Sequence, residues 1–289
     1  MKRLLFLIFF MLGCQIIQAA QPRFTLWQLP PQGKSQMNSY VIKTSKDHLI
    51  VIDGGTPDDA AYLRGFLAAH GNHVTKWFIT HPHIDHMGAF TKILNDPQDL
   101  QIDKIYCSPM SREQMHTDLK RLDMAKDYME ALSKTKVEVI KLTEAGAVYQ
   151  IDELHIKVML VNDTTLLTQN AYNNASIILR LWDKTKSFLM LADAGIECGE
   201  RLLQTAEKAE LKIDYVQMAH HGQSGVDQQF YNTLQFKACL WPTPLWVWNN
   251  DVGEGFNTAW MKTIDTRHWM DQLGIKEHYC AWQGLIKIE

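Results

Sequence analysis

Apolar positions fall into short runs along most of the chain. Between Phe24 and Ile52 they predict three strands; the runs Met37–Lys43 and His48–Ile52 are rich in β-branched and aromatic residues. The latter ends in Asp53-Gly54-Gly55, a sharp turn. Thr56-Pro57-Asp58-Asp59 follows, with a capping side chain, Pro at the first helical position and acids in the first turn. That helix is predicted to run to about His70 and stop at Gly71. Val74–Thr80 reads as a strand that runs directly into His81-Pro82-His83-Ile84-Asp85-His86-Met87-Gly88. A short strand is expected at Ile105–Cys107 and a long, polar surface helix over Arg112–Ser133. Strands then recur at Val137–Ile140, Leu154–Val161, Ser176–Trp182 and Ser187–Leu191. Glu200–Ala209 reads as a helix and Asp214–Ala219 as a strand leading into His220-His221-Gly222, with two further strand–helix steps to finish. Each half is therefore a strand meander followed by α/β units. This rhythm predicts two packed sheets with helices outside, in one domain over residues 21–289.

The first twenty residues stand apart. Lys2 and Arg3 precede a nine-residue apolar run, Leu4–Leu12, too short to span a bilayer. It fits a signal peptide over residues 1–20 cleaved after Ala20, which implies export to a periplasmic or extracellular space. Two alternatives are a lipoprotein signal, with Cys14 following Met11-Leu12-Gly13, and a retained anchor. No later segment is apolar enough to cross a membrane. Export implies an oxidising compartment. Cys107, Cys198, Cys239 and Cys280 then allow three pairings, none in a CxxC unit, and buried free thiols are the plainest reading.

Composition narrows the function. Of 289 residues, 46% are hydrophobic and 21% charged, which suits a packed globular core. The net charge of −3 and the lack of a basic stripe argue against a nucleic-acid partner. A small molecule or a cell-envelope component is the expected substrate. Nothing in the composition speaks to oligomeric state.

The twelve histidines are clustered. His81, His83 and His86 fall within six residues, with Asp85 among them, immediately after a strand. Imidazole nitrogens and carboxylate oxygens suit Zn²⁺ or a similar transition metal. In an extended loop His81 and His83 project to one side, while Asp85 and His86 lie past the turn, within reach of a second ion. Asp193 follows four apolar strand residues, where a carboxylate needs a partner at the sheet edge. His220 and His221 end the next strand.

The His81–His86 pattern, with Asp53, Asp193 and the His220-His221-Gly222 segment, resembles the metallo-β-lactamase superfamily over nearly the whole mature chain. The resemblance implies a four-layer αβ/βα sandwich of two mixed sheets with outer helices. It also implies two divalent ions, Zn²⁺ foremost, with Mn²⁺ or Fe²⁺ as alternatives. Their ligands would come from His81, His83, Asp85, His86, Asp193 and one or both of His220 and His221. Asp53 would hold the histidine loop from behind. One expected ligand is missing: only His116 and His155 lie between the loop and Asp193, and both have surface explanations. Asn173-Asn174-Ala175-Ser176 occupies that interval instead. The combination resembles the branch that contains the hydrolase domain of competence proteins and the secreted phosphorylcholine esterases, which places Asn174 and Ser176 near the site.

Such a pair of ions lowers the pKa of a bound water from 15.7 toward about 7, giving a metal-bound hydroxide as nucleophile. Asp85, Asp193 and His221 are then the candidate catalytic side chains. The reading is an exported hydrolase acting on a phosphodiester or phosphorylcholine-like ester. A β-lactam or lactone hydrolase and a non-catalytic surface binding protein are the alternatives. Trp246 and Trp248 could form a substrate wall, since Trp faces hold quaternary ammonium groups, or could simply pack over a sheet edge.

Overall fold

The computed structural model describes residues 23–168 and 170–289; residues 1–20, where a signal peptide and Cys14 are expected, lie outside them. The first half runs β1 (Thr25–Gln28), β2 (Ser39–Lys43), β3 (Leu49–Asp53), α1 (Ala60–Ala69), β4 (His73–Ile79), α2 (Ile84–Asn95), β5 (Gln101–Ile102), β6 (Lys104–Cys107), α3 (Arg112–Met115), α4 (Leu122–Lys134) and β7 (Glu138–Lys141). The second half runs β8 (Val148–Ile151), β9 (Leu154–Leu160), α5 (Ala171–Asn174), β10 (Ile178–Trp182), β11 (Ser187–Met190), α6 (Ile196–Thr205), β12 (Tyr215–Gln217), α7 (Gln228–Thr233), β13 (Ala238–Trp241), α8 (Leu245–Trp248), α9 (Thr263–Gln272), β14 (Glu277–Cys280) and β15 (Ile286–Ile288).

The strands form two sheets, ordered β15-β1-β2-β3-β4-β6-β7, with β5 beside β4, and β14-β13-β12-β11-β10-β9-β8. Each begins as an antiparallel meander and ends in parallel strands: β3, β4, β6 and β7 in the first sheet, β11 to β14 in the second. Parallel strands need crossovers, and these put helices on the outer faces. Three apolar clusters fill the layers. Phe78, Tyr106, Phe188 and Leu240 pack between the sheets. Leu63, Phe90 and Tyr128 seat α1, α2 and α4 on the first sheet. Cys198, Phe230 and Met270 seat α6, α7 and α9 on the second. This is the expected four-layer sandwich, and the carboxyl ends of both parallel sets meet along one edge.

Local departures have local causes. The helix expected over Arg112–Ser133 is broken: Ser111 caps α3, and Asp118 caps a new turn by accepting from the Lys120 amide. It is not wholly a surface element either, because Ala125, Tyr128 and Ala131 are buried. The helix expected at Glu200–Ala209 begins earlier, at Ile196, behind Gly195. β8 and β15 had no clear strand signal. The four described cysteines are buried free thiols.

At the edge opposite the parallel-strand ends, the two sheets are tied by Asp152. Its carboxylate accepts from the Thr44 hydroxyl (2.6 Å), lies 2.7 Å from His48 Nδ1 and pairs with Lys46 at 3.3 Å. Burial alone would raise its pKa, but these hydrogen bonds hold it at about 2. A depressed folded-state pKa stabilises the fold above the unfolded value near ~3.9, and that contribution is lost as pH falls through about 2. Asp152→Asn is therefore expected to lower stability at pH 7 by no more than about 1 kcal/mol. Urea unfolding should show the difference shrinking to nothing near pH 2.

Candidate metal centre

The site starts with Asp53, wholly buried at the end of β3 in a left-handed conformation (φ 57°). Its carboxylate accepts from the Thr80 amide (2.8 Å), the Thr80 hydroxyl (2.8 Å) and the Asn38 amide (2.7 Å), and lies 2.7 Å from His86 Nδ1. The turn after it is bonded to α2: the Gly54 amide donates to the His86 carbonyl and the Ala89 amide to that of Gly55. This approach needs Gly88, where a Cβ would lie 2.5 Å from the Pro57 ring. Asp53 thus fixes the His86 ring with Nε2 facing the site. Asp85 and His86 stand in the first turn of α2, where a carboxylate is favoured by the helix N-terminus.

The second sheet supplies the opposite wall. Asp193 follows β11 behind Ala192, another left-handed residue (φ 49°). The Ser176 hydroxyl accepts from the Asp193 amide (3.1 Å) and stands 3.4 Å from His81 Nδ1; Asn174 accepts from the Gly195 amide (3.1 Å). Both brace the Asp193 turn from behind. His220 and His221 are both left-handed, with φ of 51° and 56°. Gly222 completes the run (φ 79°) and presses so close to Trp241 that a Cβ would lie 2.3 Å from its ring. His221 Nδ1 donates to the Pro242 carbonyl (2.6 Å), which leaves Nε2 free to face the site.

Asp193 lies between two donor clusters. Its Oδ1 is 3.1 Å from His86 Nε2 and 3.6 Å from His221 Nε2. Its Oδ2 is 3.7 Å from His81 Nε2, 4.0 Å from His83 Nδ1 and 3.8 Å from His220 Nε2. Asp85 Oδ2 is 3.1 Å from His221 Nε2. His81, His83 and Asp193 offer donor atoms all within 4.8 Å of one another, and so do Asp85, His86 and His221. Nε2 of His81, His83, His86 and His221, and Oδ1 of Asp193, are buried without a hydrogen-bond partner. Buried polar atoms normally have partners. Four of these, Nε2 of His81, His86 and His221 with Oδ1 of Asp193, meet around one carboxylate and fit a dinuclear metal centre, because divalent ions are the partners that such a donor set takes.

Residues 33–220 match the family described as the Metallo-beta-lactamase superfamily. The chain belongs to that superfamily. Among solved structures it is similar to the metallo-β-lactamase fold protein YhfI from Bacillus subtilis, at 12% identity and a TM-score of 0.55, over 92% of this chain and 100% of that one. It is also similar to CmlA, a diiron β-hydroxylase from Streptomyces venezuelae, at 11% identity and a TM-score of 0.53, over 93% of this chain and 55% of that one. No curated sequence matches. These likenesses show the metallo-β-lactamase fold and leave the chemistry to the residues.

Relative to that superfamily pattern, neither intervening histidine joins the centre. His116 is exposed at the end of α3, with Nδ1 on the Arg112 carbonyl. His155 stacks on Trp182 at the far edge. His220 Nε2 lies 3.8 Å from Asp193 Oδ2 but outside both donor groups. Trp246 is half-buried, its indole donating to the Lys34 carbonyl (2.9 Å). Trp248 packs edge-on against Trp241 and one face is covered by the Arg267 guanidinium at 4.1 Å. Sequence reasoning missed Thr80, Asn38 and Gln36, whose amide reaches Asp85 Oδ2 at 3.3 Å. Thr80 could have been suspected from its place directly before His81; the other two carry no signal.

Burial opposes charge on His86 and His221, yet Asp193, Asp53 and Asp85 hold both pKa values above the ordinary imidazole range. Burial pushes His81 and His83 below it. Asp85 and Asp193 stay ionised despite burial because these imidazoles face them. His86 and His221 therefore hold a proton more readily than a free imidazole, and a metal competes with that proton. Raised pKa values mean that protonation wins as pH falls, so metal affinity is expected to weaken toward low pH. Calorimetry in two buffers of different ionisation enthalpy should read protons released on loading, more of them as the pH is lowered.

Proposed function

We propose that this chain is an exported metal-dependent hydrolase that cleaves a phosphodiester or phosphorylcholine-like ester with two divalent ions, zinc foremost. The observation that carries the reading is Asp193, whose two oxygens face two separate histidine clusters. His81, His83 and His220 would hold one ion with Oδ2. Asp85, His86 and His221 would hold the other with Oδ1. Such a pair supplies an activated water near neutral pH and a positive field for the oxygen that gains charge. The chain supplies the rest. Asp53 and the Pro242 carbonyl fix the ring orientations of His86 and His221, and Gln36 orients Asp85 at the mouth.

Within the superfamily, Asn174 and Ser176 behind Asp193 favour the branch of competence-protein hydrolase domains and phosphorylcholine esterases over the lactamases. Export rests on the apolar run at Leu4–Leu12. Among the described residues no helix is long and apolar enough to cross a membrane.

Purified protein is expected to hold about two ions per chain by elemental analysis. His221→Ala should lose one, and His220→Ala should weaken retention of the other. Asp193→Asn and His83→Ala should each lower turnover of an aryl phosphodiester by about a hundredfold or more with unchanged far-ultraviolet circular dichroism. A cephalosporin and a lactone, assayed beside it, separate the ester reading from the lactam and lactone ones. Near-normal turnover in both variants would refute the dinuclear reading.

A further inference from the structure

A cavity lies behind the loop that carries His81 and His83. It has a volume of about 300 Å³ and lies between α4 and the ends of β6 and β7. Pro82, Met110, Met115, Met129, Leu132 and Val139 line it. Pro82 is the residue between His81 and His83, so the cavity begins one residue from two proposed ligands. Met115 makes a second join: its carbonyl accepts from the Tyr172 hydroxyl (3.0 Å), and the Tyr172 ring lies parallel to that of His83 at 5.5 Å. The strand ends agree, because Cys107 pairs with Ile79 at the carboxyl edge that carries the histidine loop.

The lining chemistry selects the ligand. Three methionines give a flexible, polarisable surface that adapts to an apolar chain. No carboxylate lines the cavity, and its one formal charge is Lys141, an exposed cation at the rim. A quaternary ammonium group is therefore poorly served here. The Cys107 thiol in its wall is pushed above its ordinary range by burial, which makes it a surface and not a nucleophile. The volume stands at the lower end of those that small ligands fill. Met129 is 47% exposed, so the cavity has an opening to solvent at α4.

We propose that this cavity receives an unbranched alkyl or acyl chain of the substrate whose ester lies at the metals. The proposal rests on the hydrolase reading for the position of the ester and adds the class of substrate: an ester with an apolar tail.

The test is calorimetric binding of butyl phosphate and octyl phosphate to the metal-loaded full chain. Four added methylenes in an apolar cavity should tighten binding by about a hundredfold. Met129→Glu and Met110→Glu should each cut that gain below about tenfold and leave binding of inorganic phosphate unchanged. Met129 is exposed on a helix, so its variant should fold; circular dichroism checks both. Equal affinities for the two phosphates would overturn the proposal, as would a gain that survives both variants. Titration of 1-butanol and 1-octanol into metal-stripped protein reads the cavity without the metals. A chain-length gain there, with no ester hydrolysed by the loaded protein, would sink the hydrolase reading and leave the cavity standing. Hydrolysis with no chain-length dependence would do the reverse.

Discussion

Asp53, Asp85 and Asp193 are three carboxylates buried within one small volume, and the rest of the structure is arranged around the need to offset them. An isolated buried carboxylate is strongly unfavourable, so each must be bonded or paired. Asp53 is satisfied wholly by protein: Thr80, Asn38 and the His86 ring. Asp193 is not, because its Oδ1 and the imidazole nitrogens around it lack hydrogen-bond partners, and Asp85 has only the Gln36 amide and the facing His221 ring. The first carboxylate orders the loop, and the other two leave it attractive to cations. The same charges that favour a metal also retain protons on His86 and His221, so metal loading and proton release are one process.

Backbone strain follows from the same requirement. Asp53, Ala192, His220 and His221 all adopt left-handed conformations, which are uncommon outside glycine. Asp53 ends β3, and the others lie within four residues of the ends of β11 and β12, in the turns that carry Asp193, His220 and His221. Such conformations each cost on the order of 1–3 kcal/mol and persist where surrounding bonds over-determine them. Here those bonds are visible: His220 donates its amide to Ala192, Thr243 donates to the His221 carbonyl, and Gln217 holds Ala192 on both sides.

Much of this was legible in the sequence, for a physical reason. The histidine loop, Asp193 and the histidine doublet are polar side chains at the ends of apolar strands, and such contrasts survive in one dimension. The two-sheet rhythm was legible because parallel strands and their crossover helices differ in period. What could not be read was long-range or conformational. The approach of His220 to Asp193 depends on a backbone turn that the sequence does not announce. Asn38 and Gln36 look like ordinary loop residues. The break after α3 rests on Asp118 preferring a cap to a helix interior, a local competition that the surrounding polar pattern masks. Neither tryptophan is shown at the centre: Trp246 bonds to the Lys34 carbonyl, and Arg267 takes a face of Trp248.

The pairing of β1 with β15 joins residues 26–28 to residues 286–288. During synthesis the first sheet therefore has no outer partner for β1 until almost the last residue described here has emerged. Chain closure over so long a loop is slow, and until it happens one antiparallel strand edge stays open. The last strand thus acts as a latch on the first, and the outer edge of β1 is covered only when residues 286–288 dock against it.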